Sequence, residues 1–373
     1  MAKQEWAPYQ VLFPIGIFSS LVAVGIWLFL TDEWFPAPRI FIHSKLMAGG
    51  FLWSFITGFL MTAIPRMTGT RGAHPIEWAF GITLIAFQFL FSWFLDQRWF
   101  YVNQIALVSF LLIYGGRRVF SARKPIPVFF SHVGIAMLLA VLGSYFNMIG
   151  NSFMGIHLYQ IGAVLLLVLG IGTRFFSFLS GLPSDFEGAP RSQQILFHVL
   201  GILVGVQLYF AGLGRVWAYL GLAITIFIYM AFVWRVFRKS QRPSPLKWGV
   251  RIVALSIPVT FFMCWLEPAY YVTWMHVLFI GCFALMTYAV ATRVTLAHGA
   301  YSINLEMKSP ALWVFLLSIG LSLILRAFYG YTDRVNTGVL HGAVLFWILA
   351  IFAWIYSFAL KILRPGDQER PAC

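Results

Sequence analysis

From Tyr9 to Leu363 the chain is apolar almost without interruption, and none of its 12 acidic residues falls in the middle of an apolar run. Segments of this kind leave few folds open. In a bilayer every backbone N–H and C=O must be paired inside the protein, so a chain that spans does so as helices or as a closed barrel. These apolar stretches are long enough for helices, which need roughly 20 residues each to cross. A soluble domain would carry charge on about a quarter of its residues, against 10% here, with 60% hydrophobic residues. The sequence therefore predicts an all-α, polytopic membrane protein.

Apolar runs between Pro, Gly and charge clusters predict about twelve spans, near 9–30, 40–64, 76–95, 99–117, 126–148, 153–181, 193–211, 214–237, 248–266, 272–299, 309–328 and 336–362. The connections at Asp96–Arg98 and Leu213–Arg215 are so short that each is either a tight hairpin or a break within one long helix. The N-terminal residues Met1 to Pro8 are polar, and no cleavage-site pattern follows the first apolar run, so no signal peptide is expected. The chain is read as one integral membrane domain, 1–373, with halves of about 1–238 and 248–373 joined by the basic loop from Arg235 to Lys247.

Cationic residues orient the spans. Connections after even-numbered helices, with the termini, hold 20 of the 26 Lys and Arg; the opposite side holds Arg39, Lys45, Arg98, Arg215, Arg326 and Arg334. The expected topology is multi-pass in a bacterial inner membrane, with both termini cytoplasmic. A formal charge of +14 would point to nucleic acid in a soluble protein. Placed in loops, it points to anionic lipid instead, and no nucleic-acid partner is expected. The three cysteines, Cys264, Cys282 and Cys373, have no paired spacing and support neither a disulfide framework nor a zinc motif.

Carboxylates inside the membrane usually mark proton relays and coupled carriers, and their confinement to loops and helix ends argues against both. The eight histidines divide evenly. His74, His132, His198 and His298 fall toward the cytoplasmic side. His43, His157, His276 and His341 fall near the outer ends of helices 2, 6, 10 and 12. Neutral imidazole is the commonest protein ligand for metal ions and serves haem iron as well, so four of them at one depth could build a metal or haem site. The plain alternative is that each is an interfacial or capping residue.

Helices 6 and 10 share a further spacing: His157 precedes Arg174 by 17 residues and His276 precedes Arg293 by 17, and Gly181 and Gly299 follow. At about 1.5 Å per residue each pair spans roughly 25 Å, close to the hydrocarbon thickness. Helix 2 runs similarly from His43 to Arg66 and Gly69, with Pro65 interrupting it. The histidines lie 114 and 119 residues apart, which suggests a four-helix unit repeated three times; His-outside, Arg-inside anchoring would produce the same pattern. Met47, Met154 and Met275 adjoin these histidines and could offer thioether sulfur to copper(I), although methionines in an apolar chain are mostly packing residues. Arg326 and Arg334 could pair with haem propionates. Lys45 could do the same, or snorkel to the interface.

The stretch Thr57-Gly58-Phe59-Leu60-Met61-Thr62-Ala63-Ile64-Pro65-Arg66-Met67-Thr68-Gly69 resembles the second-helix segment of the NnrS family. So does helix 10, from Met275-His276 through Met286-Thr287 and Ala291-Thr292-Arg293-Val294 to Leu296-Ala297-His298-Gly299. His157-Leu158 running to Arg174-Phe175 is similar to the family's sixth helix, and the resemblance covers most of the chain. It implies a bacterial inner-membrane protein carrying haem, b-type with histidine donors, and copper, with a part in nitric oxide metabolism and resistance to nitrosative stress. It supplies no reaction, so a haem-dependent redox or nitric-oxide-handling activity is expected only as a class. The family pattern in helix 2 begins His-x-His-Glu, whereas this chain has His43-Ser44-Lys45-Leu46. The lost donors would remove one metal, copper first, or leave a haem-only site with Lys45 serving a propionate. Two other classes compete: a small-molecule or metal transporter, and a haem–copper oxidase or reductase. The second of these uses adjacent histidines on copper, and no His-His pair occurs here.

Overall fold

The computed structural model describes residues 6–29, 33–181, 189–240, 243–332 and 336–363. Arg334, an expected propionate partner, lies outside the described residues. Every regular element among them is helical. Ten helices are long and apolar enough to cross a bilayer: α1 (Tyr9–Leu28), α2 (Arg39–Thr68), α4 (Arg98–Phe120), α5 (Phe130–Met148), α6 (Ser152–Ser180), α7 (Arg191–Gly212), α9 (Leu246–Leu266), α10 (Pro268–His298), α11 (Pro310–Tyr331) and α12 (Thr337–Leu363). Two shorter apolar helices, α3 (Pro75–Phe91) and α8 (Trp217–Val233), fall where spans 3 and 8 are expected. The fold is thus an all-α, multi-pass membrane protein. Ten of the twelve expected crossings meet the length for a span, and α3 sits at the roughly 17-residue lower limit.

Both ambiguous connections are hairpins. Helix ends at Phe91 and resumes at Arg98, with Asn103 donating to the Leu84 carbonyl across the pair at 2.9 Å. The second turns at Gly214, whose φ of 77° favours a residue without a Cβ. Gln207 of α7 then reaches Thr225 of α8 at 3.0 Å.

The chain divides into two compact units. The first holds α1 to α4 with residues 293–301 and 358–373. Here α2 is the central helix, 83% buried over its apolar window. It does not stop at Pro65 as the sequence suggests, but continues to Thr68 and closes on Gly69 in the left-handed region, φ 68°. A proline inside a helix leaves the carbonyl four residues earlier without its partner, here that of Met61. The Tyr114 hydroxyl of α4 donates to that carbonyl at 2.6 Å. A membrane tolerates a helical proline when a neighbour satisfies the freed group in this way. Tyr114→Phe should therefore lower stability by about 1–3 kcal/mol, the penalty of one orphaned buried acceptor, seen as a lower unfolding midpoint in detergent. The Arg118 guanidinium lies over the Tyr114 ring at 3.6 Å and grips Glu77 through both carboxylate oxygens, at 2.7 and 3.2 Å.

The second unit holds residues 128–292 and 302–357. Its central helices are α6 and α10, 72% and 78% buried, whereas α7, α11 and α12 are buried over 33–39% of theirs. The exposed faces of those outer helices are apolar, including Leu203, Leu317, Leu345 and Phe352. Such faces suit lipid. The most buried helices are thus α2 in the first unit and α6 and α10 in the second, and the outer helices of the second unit turn apolar side chains outward.

Candidate functional site

The buried helices α2, α6 and α10 are the ones that carry His43, His157 and His276. Each also contains a wide turn with i→i+5 hydrogen bonding: Leu46–Leu52 in α2, Ile156–Ala163 in α6 and Phe279–Ala284 in α10. Each turn contains glycine, namely Gly49 and Gly50, Gly162, and Gly281. Single π turns of this kind inside α-helices recur at functional sites. They begin three residues after His43, one before His157 and three after His276. The Arg ends also correspond, since α6 closes on left-handed Gly181 (φ 68°) as α2 does on Gly69. In α10 the left-handed residue is Ala300 rather than Gly299.

In all three imidazoles Nδ1 lies against a backbone carbonyl. The Nδ1 atom of His157 lies 2.8 Å from the Phe153 carbonyl, that of His276 lies 2.7 Å from Val272, and that of His43 lies 2.8 Å from Ala23 on α1. A carbonyl only accepts, so Nδ1 carries the proton and Nε2 of a neutral ring presents its lone pair. Metal-bound histidines are held in this arrangement.

The Nε2 atom of His157 has two tyrosine partners. Its ring is wholly buried, and Nε2 accepts from the Tyr219 hydroxyl at 2.7 Å, with the Tyr271 hydroxyl at 3.3 Å. The three rings pack together, with His157 and Tyr271 stacked at 5.7 Å between centroids. His43 and His276 are half-buried, His43 against the edge of Trp27 and His276 against Phe279.

Within the second unit, three expected residues share one end of neighbouring helices. Thr273, one turn before His276, packs on Gly330 of α11, where a Cβ would collide with its side chain. Arg326 lies one turn before Gly330, and Gly342, next to His341, faces Leu325. Ser322 of α11 donates to the Ala343 carbonyl of α12 at 2.8 Å. His276, Arg326 and His341 thus occupy one level of the α10–α11–α12 group. His43 and Lys45 belong to the first unit. Lys45 is 1% exposed, and its ammonium has one hydrogen-bond partner among the described residues, the Phe94 carbonyl at 2.9 Å. That carbonyl belongs to the connection between α3 and α4. An ammonium buried in this way calls for further polar or anionic partners.

The methionines pack. Met154 lies against Gly212 where a side chain would clash, and Met47 joins the apolar cluster of Ile42, Leu46 and Trp27. Among the described residues no three His, Cys, Asp or Glu side chains converge as a metal site. Axial ligation of haem needs one or two imidazoles and does not depend on such a convergence.

A second buried polar cluster was not foreseen. His132 of α5 is wholly buried between Gly170 and Gly201 and packs against the tilted ring of Phe197, with centroids 3.9 Å apart. The Tyr229 hydroxyl approaches its Nε2 at 3.5 Å and bonds Thr173 and the Leu169 carbonyl, each at 3.1 Å. Ser131 joins His198 Nδ1 at 2.9 Å. The only signal in the sequence was a tyrosine and a histidine on apolar helices that are not adjacent in order. His74, by contrast, is a helix cap, accepting from the Ile76 amide.

Compared with known proteins, the chain matches the family described as NnrS protein over residues 6–365. No curated protein matches it.

Proposed function

The chain belongs to the NnrS family, and from that premise we propose that it is a haem-binding protein of the bacterial inner membrane, acting in nitric oxide metabolism or resistance to nitrosative stress. The proposed topology puts the basic loops and both termini on the cytoplasmic side. His276 is the proposed axial donor in the second unit, with His341 and Arg326 at its level as second donor and propionate partner. In the first unit His43 is the corresponding donor, and Lys45 the corresponding cation. His157 is assigned a different part, as the acceptor for two tyrosine hydroxyls. Copper is secondary in this reading, because Lys45 and Leu46 stand where the family pattern has donors.

The observation that carries the reading is the shared build of α2, α6 and α10: most buried, interrupted by a π turn beside the histidine, and with Nδ1 committed to a carbonyl. A buried Lys45 is the second support, since a propionate would supply the anion it calls for. Bound haem would supply an iron able to bind nitric oxide. In each unit the protein would hold the ring with imidazole and anchor its carboxylates with the cation of that unit, Lys45 in the first and Arg326 in the second, and shield it with apolar helices. Nitric oxide is small and uncharged and partitions into lipid, so it can reach such a site from the bilayer.

The test is the absorption spectrum and iron content of detergent-purified protein from haem-replete cells. A Soret band is expected, reduced by half or more in His276→Ala. Lys45→Met should retain the fold while losing haem more readily on dilution. Protein without haem under these conditions would overturn the reading in favour of transport.

A further inference from the structure

The second unit carries a basic groove unrelated to the histidine end. Helix α8 finishes in a π turn, Tyr229–Val233, and Arg235 follows with φ 55°, a left-handed conformation that a side-chain-bearing residue adopts at a cost. This reversal sets Arg235 and Arg238 beside Gln193 in the first turn of α7. Together with Ala231, Phe232 and Phe237 they line an open groove of about 410 Å³. Two of its walls are apolar and outward-facing: Phe232 and Phe237 are each 68% exposed. Nearby, Lys247 and Arg251 both lie over the ring of half-exposed Trp248, at 5.6 and 5.4 Å, and Arg251 donates to the Arg238 carbonyl at 3.1 Å. Tryptophan with flanking cations marks the level of lipid headgroups. No acidic residue occurs between Glu187 and Glu267, a stretch with eight Lys and Arg.

We propose that the Gln193–Arg235–Arg238 groove binds the phosphodiester headgroup of an anionic phospholipid, with the acyl chains lying along Phe232 and Phe237. The guanidinium groups match phosphate oxygens in fork geometry. The positive end of the α7 dipole, whose cap residue Pro190 contributes no side-chain bond, favours an anion at the same place. A zwitterionic headgroup brings its own cation into this field and gains less. The paired exposed phenylalanines select a lipid over free phosphate, because water gains nothing from covering them and acyl chains do.

The experiment is native mass spectrometry and thermal unfolding of the full chain in detergent, titrated with phosphatidylglycerol, phosphatidylcholine or inorganic phosphate. Phosphatidylglycerol should be retained and raise the midpoint, while phosphatidylcholine and millimolar phosphate should not. Arg238→Gln should weaken retention about fivefold, and the double variant with Arg235→Gln about 25-fold, from roughly 1 kcal/mol for each interfacial cation. Arg215→Gln, at the other end of α8, should leave retention unchanged. Should the double variant fail to fold, salt dependence in the wild-type chain and partial retention in Arg238→Lys test the same point. Equal binding of the two lipids, or unchanged retention in Arg238→Gln, would overturn the proposal. Competition by inorganic phosphate at the same concentration as lipid would overturn the lipid as the occupant.

Discussion

Gly143→Val is expected to prevent stable folding, and Gly143→Ala to lower the unfolding midpoint strongly, whereas Gly134→Ala on the same helix should be nearly silent. Gly143 of α5 lies against the backbone of α6. A Cβ there would meet the Tyr159 amide nitrogen and lie 2.9 Å from the Gly155 carbonyl oxygen. Backbone cannot swing aside as a side-chain tip can, so the helices would have to separate. Membrane helices are held chiefly by close packing at small residues, and overpacking of this kind costs about 3 kcal/mol or more. Nothing lies within 4 Å of the corresponding atom at Gly134. Thermal unfolding and size-exclusion profiles of the three variants check the order. A Gly143→Ala protein as stable as wild type would show that the α5–α6 crossing is looser than described.

His157→Leu is the second substitution with a large expected effect, and here stability and haem content should part company. The change deprives Tyr219 and Tyr271 of their shared acceptor in a buried site and removes the bond to Phe153. At roughly 1–3 kcal/mol per stranded polar group, the loss should be about 3 kcal/mol. Tyr219→Phe should cost about 1 kcal/mol, because the Tyr271 hydroxyl at 3.3 Å can take its place at Nε2. The double-mutant cycle should show coupling near 1–2 kcal/mol. The Soret band should persist in Tyr219→Phe and in whatever folded fraction of His157→Leu is recovered. A His157→Leu protein as stable as wild type but devoid of haem would instead make His157 an iron ligand, and would move the proposed site into α6.

Much of the architecture was legible because lipid imposes it. Apolar length and breakers placed ten spans and two shorter apolar helices within a few residues, and the His-to-Arg spacing shared by helices 6 and 10, with a similar longer run in helix 2, singled these helices out before their burial was known. Pro65 misled because a proline's effect depends on whether some neighbour satisfies the freed carbonyl, and Tyr114 is 49 residues away in sequence. For Lys45 two readings stayed open, a propionate partner and a snorkelling residue, since nothing local in the sequence shows that its ammonium meets the Phe94 carbonyl. His157 showed the same limit: its depth could be read from its place in helix 6, but its tyrosine partners come from α8 and α10. The π turns were not foreseen, since a widened turn preserves composition and adds a single residue.

That single residue has a consequence for how the chain can vary. Removing one amino acid from Leu46–Leu52, Ile156–Ala163 or Phe279–Ala284 would leave an unbroken apolar span, with every hydropathy measure nearly unchanged. Such a deletion would close the wide turn into an ordinary α turn and leave the two flanking segments in their present register. A one-residue deletion a turn or more outside these stretches has no wide turn to absorb it and would rotate one end of the helix by about 100° relative to the other. The histidine and the distal arginine would then no longer face their present neighbours at the same time. The three wide turns are therefore the places where these buried helices can lose a residue, whereas elsewhere along them length is held more tightly than composition.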